Sequence, residues 1–270
     1  MKKLLLILLF IQLTAFTKIV LSADLDKGKE AYDNEDYASA LVEFEPLAKL
    51  GNSSAQFYLA ILYDRGYGVE EDNLKAIEWY RLAALQGEYK AQHNLAMQYR
   101  SGDGVEVDNI EAMKWLTLAS KNPESYKSFR ILGGMYSEGD GVEQDYKEAV
   151  KWLTLAAEQQ DDLAQNMLGK LYEYGKGTLQ DYETAVMWYR YSAEQGNQTA
   201  QNNLSAMYRK GRGLDQNNIY AHMWANISAS EGNEYGKTLR ERAQSDMKPN
   251  EINKAQRLAR ECLANDLKDC

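Results

Sequence analysis

Few residues in this 270-residue chain are of a type that does covalent or metal chemistry. The two histidines, His93 and His222, lie far apart, and neither has a Cys, Asp or Glu at metal-ligand spacing. Ser245-Asp246-Met247-Lys248 spells S-x-x-K, the pattern of an acylating serine beside a lysine. The S-D-N and K-T-G elements that accompany it in penicillin-binding enzymes are absent. Five Gly-x-Gly pairs invite a phosphate-cradle reading, but a dinucleotide fingerprint needs a preceding strand and a third glycine. The sequence therefore predicts no catalytic residue, no metal and no cofactor. The two cysteines, Cys262 and Cys270, are placed to form one short disulfide loop or to remain two thiols.

What the Gly-x-Gly pairs do instead follows from their recurrence. GYGVEEDNLKAIEWY begins at residue 66, and related fifteen-residue stretches begin at 102, 139, 175 and 211. The tryptophans Trp79, Trp115, Trp152, Trp188 and Trp224 are spaced by 36, 37, 36 and 36 residues. Tyr63, Tyr99, Tyr136, Tyr172 and Tyr208 keep that register, as do Ala55, Ala91, Ser128, Ala164 and Ala200. A fixed period of this size marks a stacked repeat architecture.

Each repeat reads as two helices. The first, from about Ala55 to Arg65 in the first repeat, carries Ala55, Leu59 and Tyr63 at helical spacing. Gly66 stands where a left-handed C-terminal cap is needed. The second helix starts at an acid or amide, Asp72, Asp108, Asp145, Asp181 or Asn217, each able to accept from free backbone N–H groups. Glu111 and Glu148, three residues on, predict capping boxes. Small residues in two further columns let the helices approach, and the tryptophans are expected to be buried by stacking of neighbouring hairpins.

The pattern A-x-x-x-L-G-x-x-Y-x-x-G-x-G, then an acid, then A-x-x-W-Y-x-x-A-A-x-x-G, resembles the Sel-one-like repeat, a relative of the tetratricopeptide repeat. The resemblance implies an all-α, right-handed α-solenoid of helix-turn-helix repeats of about 36 residues. It covers five repeats at 55–90, 91–127, 128–163, 164–199 and 200–235. A divergent repeat at 24–54 and capping helices at 236–270 flank them. The second repeat departs from the pattern at Asn122-Pro123, the third at Gln160 and the fifth at Asn217 and Ala225.

In the related tetratricopeptide fold the first helices line a concave binding surface. By register, one column of such positions holds Phe57, His93, Arg130, Asn166 and Asn202. A second includes Ile61, Met97 and Lys170, and a third Asp64, Arg100, Ser137, Glu173 and Arg209. Phe57, Ile61 and Met97 make an apolar part; Arg100, Arg130, Asn166, Lys170, Asn202 and Arg209 make a polar, cationic part. These columns vary between repeats while the Trp and Tyr columns do not. The reading is a groove for an extended peptide with an apolar residue and an acidic group, amides holding main chain and cations holding carboxylate. The resemblance implies a scaffold or adaptor in protein–protein interaction; a β-lactamase-like or other hydrolase and a secreted host-interaction factor stand as alternatives.

Residues 1–23 have the layout of a secretory leader: Lys2 and Lys3, an apolar run from Leu4 to Ile11, and Ala23 before the first acid, Asp24. Ala15 is a second cleavage position. The competing reading is a retained anchor, although Gln12 and Lys18 break the run below the ~20 residues of a spanning helix. Removing the leader leaves 28 basic and 40 acidic side chains, a net charge of −12. Such a chain is repelled by phosphate backbones and anionic lipid, so nucleic acid is excluded as partner and membrane contact is left only to an uncleaved leader. The location read from these features is periplasmic or secreted, in a bacterium.

Overall fold

The computed structural model describes residues 23–268 and 270; the leader reading, at 1–23, falls outside them except for Ala23. The described residues form fourteen helices and no strand. In chain order these are α1 (Leu25–Asp33), α2 (Tyr37–Lys49), α3 (Ser53–Arg65), α4 (Asn73–Leu85), α5 (Tyr89–Ser101), α6 (Asn109–Ala119) and α7 (Tyr126–Glu138). They continue as α8 (Tyr146–Ala157), α9 (Asp162–Tyr174), α10 (Tyr182–Glu194), α11 (Gln198–Lys210), α12 (Asn218–Ser230), α13 (Glu234–Gln244) and α14 (Pro249–Ala264). The chain divides into two compact units, the first ending at Ser128 and the second starting at Phe129, inside α7.

In the first unit each helix from α1 to α6 packs on the next. In the second the same succession runs from α8 to α13, and α14 returns to pack on α12. Burial in the first unit begins with Ala40, Phe44, Ala48, Ala55, Leu59 and Leu62, between α2 and α3. In the second unit Tyr189, Leu204, Met207, Trp224, Ile227, Ala259 and Cys262 share one cluster.

The caps explain where the second helices start. Asp72 accepts from the Lys75 N–H at 3.0 Å, Asp108 from Glu111 at 2.9 Å, and Asp145, Asp181 and Asn217 cap in the same way. In each case the cap residue also donates its own N–H to the carbonyl of the tyrosine nine residues earlier: Asp72 to Tyr63, Asp108 to Tyr99, Asp145 to Tyr136, Asp181 to Tyr172 and Asn217 to Tyr208, all at 2.9–3.0 Å. One residue thus starts the second helix and ties it to the end of the first. The predicted capping boxes do not form. Glu111 and Glu148 turn to Lys114 and Lys151 one turn along, at 2.8 and 3.1 Å, because the Asp108 and Asp145 N–H groups that a capping box would bind are already given to the carbonyls of Tyr99 and Tyr136.

The second glycine of four of the five turns does more than permit a positive φ. A Cβ on Gly177 would run into the backbone of Tyr146, the first residue of α8, and one on Gly213 into Tyr182, the first residue of α10. Gly68 and Gly104 meet Tyr37 and Asn73 in the same way. The turn of one repeat is therefore seated on the start of the preceding second helix, and only glycine lets the two backbones approach so closely.

The tryptophan column is less buried than its regularity predicts. Trp224 is fully buried and Trp115 nearly so, whereas Trp79, Trp152 and Trp188 are half-buried. The residue after each tryptophan is the one that reaches the centre: Tyr80, Leu116, Leu153, Tyr189 and Ala225 are all fully buried. The indole lies on the shoulder of its hairpin and covers the core from the side.

A candidate peptide-binding face on the first helices

A polar device that the repeat pattern carries without advertising it fixes the first helices against what precedes them. Gln56, Gln92, Gln165 and Gln201 keep one register and are buried. Each donates its side-chain amide to a carbonyl at the end of the preceding second helix: Ala48, Ala84, Ala157 and Ala193, at 2.9–3.3 Å. Helix C-termini leave carbonyls without an intrahelical donor, and these glutamines supply one. Phe129 takes the glutamine's place in the third repeat and stacks obliquely on Trp152, ring centroids 6.0 Å apart.

On this frame the first unit gathers part of the expected face. Asp64, His93, Met97 and Arg100 surround one cavity of about 900 Å³, together with Arg65 and Asp103. His93 and Asn94 also line a neighbouring cavity of about 360 Å³, whose walls include Phe57, Tyr89 and Tyr126. Phe57 is mostly covered by Tyr58 and Tyr80 and shows only an edge. His93 Nδ1 lies 2.9 Å from the hydroxyl of Ser128, which fixes the ring. Ile61 is half-buried on α3 and lines neither cavity.

The second unit treats its members of the same columns differently. Arg130 donates from Nε to Asp161 at 3.1 Å, and Asp161 is itself the buried N-cap of α9. Asn202 is buried and donates to Asn233 at 3.1 Å, while Asn166 accepts from Asn203 at 2.9 Å. These three side chains fasten one helix to another, so they are not the open amides and cation that register alone predicts. Lys170 is exposed and Arg209 half-buried.

The third column has an internal logic of its own. In the first and fourth repeats the carboxylate takes a buried tyrosine hydroxyl: Tyr80 donates to Asp64 at 3.4 Å and Tyr189 to Glu173 at 2.8 Å. Gln98 adds a second donor to Asp64, and Arg212 lies 3.7 Å from Glu173. Burial, and after it the facing carboxylate, pushes both phenols far above their usual pKa, so they stay protonated and donate. Where the second helix has Leu116, Leu153 or Ala225 in place of tyrosine, the column holds Arg100, Ser137 or Arg209 in place of an acid.

The remaining candidates for chemistry are dispersed. The Ser245 hydroxyl donates to the Arg242 carbonyl at 3.0 Å, and Lys248 is the exposed N-cap of α14. Among the described residues no group of three or more His, Cys, Asp or Glu is placed to hold a metal ion, and no helix is long and apolar enough to cross a membrane. Cys262 and Cys270 form a disulfide.

Fold and face together define an α-helical repeat protein built from Sel1-type hairpins. The Sel1 repeat model matches at residues 53–88, 90–123, 131–161, 162–197 and 198–233, and the chain belongs to the Sel1 repeat family. It is similar to a crystal structure of a Sel1 repeat protein from Oxalobacter formigenes, at 31% identity over 88% of this chain and 99% of that one, with a TM-score of 0.77. It is also similar to c5321, a protective antigen present in uropathogenic Escherichia coli strains displaying an SLR fold. There the identity is 31% over 95% of this chain with a TM-score of 0.80, and the chain spans 57% of that antigen's length. No curated protein sequence matches it. The fold class is that of the SLR solenoids, and proteins of this family generally act as non-catalytic scaffolds that bind other proteins.

Proposed function

We propose that the protein is an exported scaffold that holds an extended peptide segment of a partner protein on the first helices of its first unit. The observation that carries this reading is the pair of adjoining cavities. One end is aromatic, with Phe57, Tyr89 and Tyr126; the other is charged in both signs, with Arg65 and Arg100 beside Asp64, Glu71 and Asp103; His93 and Asn94 line both. An apolar side chain fits the first, a charged side chain the second, and the Asn94 side-chain carbonyl, whose amide group donates to Tyr80 at 3.0 Å, can accept from main chain between them. The ion pairs and amide pairs of Arg130, Asn166 and Asn202 favour the first unit over the second. Export is supported by the basic–apolar start of the sequence, by the disulfide, which suits an oxidising compartment, and by the likeness to an antigen.

The test is affinity capture from an envelope extract with wild-type protein and with a Met97→Glu, Arg100→Glu double variant. Both side chains border the cavity and neither is fully buried, so the variant is expected to fold. Partners identified by mass spectrometry on the wild type and lost on the variant support the reading. An unchanged set of partners sinks it.

A further inference from the structure

Two tryptophans of the column, Trp115 and Trp188, border a notch where their helix passes the end of the preceding second helix. In the second unit this notch is a cavity of about 470 Å³ lined by Ala157, Gln165, Trp188, Tyr191 and Gln195 and bordered by the chain's own Lys268. A compact hook brings Lys268 there. The Cys262–Cys270 disulfide closes the hook, the Leu267 N–H donates to the Cys262 carbonyl at 2.9 Å, and the Asn265 amide donates to the Lys268 carbonyl at 2.9 Å. Asp266 and Leu267 turn through the left-handed region, φ 50° and 63°. The Leu267 side chain joins the core cluster of that unit and lies beside Gly196, and Glu158 and Glu194 line the cavity that Lys268 borders. The notch thus seats a short turn: an apolar residue on the loop, then a cation among carboxylates.

The first unit has the same notch 73 residues earlier. Ala84, Gln92, Trp115, Leu118 and Asn122 stand where Ala157, Gln165, Trp188, Tyr191 and Gln195 stand, around a cavity of about 580 Å³. Pro123 replaces Gly196. The charge is inverted, because Leu85 replaces Glu158 and Lys121 replaces Glu194. Leu85 is 69% exposed and Leu118 37%.

We propose that the Trp115 notch docks a turn-forming segment of a partner protein in which an apolar residue is followed by a carboxylate. The hook on the Trp188 notch is the template for that occupant, and the exchange of Glu194 for Lys121 sets the reversed charge. The site shares Tyr89 with the first-helix face, but Trp115, Leu118 and Lys121, which carry the docking argument, line only the notch, so the proposal does not depend on that face.

The probe is the disulfide-closed nonapeptide of residues 262–270, fluorescein-labelled, in its native sequence and with Lys268→Glu. Both are titrated against the full chain by fluorescence anisotropy. The Lys268→Glu peptide is expected to bind about tenfold more tightly, the size of an exchanged surface charge contact. Lys121→Glu, at an exposed position, reverses the order of the two peptides. Leu118→Asp abolishes saturable binding of both, with circular dichroism and melting temperature unchanged. The Met97→Glu, Arg100→Glu variant binds both as the wild type does. Equal affinities for the two peptides, an order that Lys121→Glu does not change, or no saturable binding by either overturns the proposal.

Discussion

Gly175 and Gly177 sit in one turn, both at positive φ, 65° and 75°, yet alanine should act very differently at the two sites. At Gly175 the nearest atoms to an added Cβ are the Gln180 Cβ and backbone N, both at 3.1 Å, an approach that a shift of a few tenths of an ångström in this exposed turn relieves. The cost there is that of the left-handed conformation, about 1 kcal/mol. At Gly177 the same conformational cost applies, and the methyl also overlaps the carbonyl of Tyr146. A shift that small does not clear an overlapped backbone carbonyl. The turn must lift off the start of α8, with an overpacking cost of about 1–3 kcal/mol beyond the first term. Gly177→Ala should therefore lie about 1–3 kcal/mol below Gly175→Ala in urea unfolding followed by circular dichroism. Because neighbouring repeats are coupled through this contact, its transition should also broaden. Gly213→Ala, which overlaps Tyr182, repeats the experiment one hairpin later. If Gly175→Ala and Gly177→Ala unfold within about 0.5 kcal/mol of each other, the close backbone approach is not what the second glycine is for.

Four further outcomes follow from particular contacts. Gln160 holds a φ of 64° where the first, fourth and fifth repeats have glycine, so Gln160→Gly should raise the urea midpoint, by about 0.5–1 kcal/mol in stability. Tyr189→Phe removes the hydroxyl that Glu173 accepts from and should cost about 1–3 kcal/mol; a neutral result in the same assay would mean Arg212 and water already satisfy the carboxylate. Trp224→Ala, at a fully buried ring, should cost about 3–5 kcal/mol, and Trp152→Ala, at a half-buried one, about half as much; equal losses would contradict the shoulder position of the indole. Burial, and after it the charge of Arg240, holds the His222 imidazole below its usual 6.5. As pH falls through 6.5 the unfolded chain gains a proton that the folded chain refuses, so stability declines from there down towards the folded value. Urea midpoints from pH 8 to 5 should show that decline, and His222→Asn should flatten it.

The turns and caps were legible because their causes are local. A left-handed glycine and an N-cap aspartate act on atoms within a few residues, and the period repeats the signal five times. The buried glutamines carried an equally regular signal, at Gln56, Gln92, Gln165 and Gln201, and only a polar residue in a core column hid it. The depth of the tryptophans was not legible for the opposite reason. The position that reaches the centre holds Tyr80, Leu116, Leu153, Tyr189 and Ala225, which share neither size nor polarity, so no column stands out beside the invariant indoles. The hook had no local signal at all: Leu267 meets Gly196 across about seventy residues of chain, and the pairing of two cysteines says nothing of where the loop between them lies.

Variation between repeats was read in the sequence as the mark of a binding face, and the structure divides that variation into two kinds. Some is compensated inside the protein. An acid occupies the third column only where a tyrosine faces it, at Asp64 with Tyr80 and Glu173 with Tyr189, and elsewhere both are replaced together. Arg130 varies with the cap it meets, Asp161, and Asn202 with Asn233. Changes of that kind preserve a buried polar contact, because a carboxylate left without its donor would bear the full cost of desolvation. They report on packing and carry no information about a ligand. What is left over is Met97 of the second column, with Tyr89 on the neighbouring wall, and the inversion of Glu194 to Lys121 at the tryptophan notch. Selection on a partner has room to act on Met97 and Lys121, since each lines a cavity and neither satisfies a buried polar group. Reversing the charge of Lys121 should therefore change what the protein binds without changing how it melts.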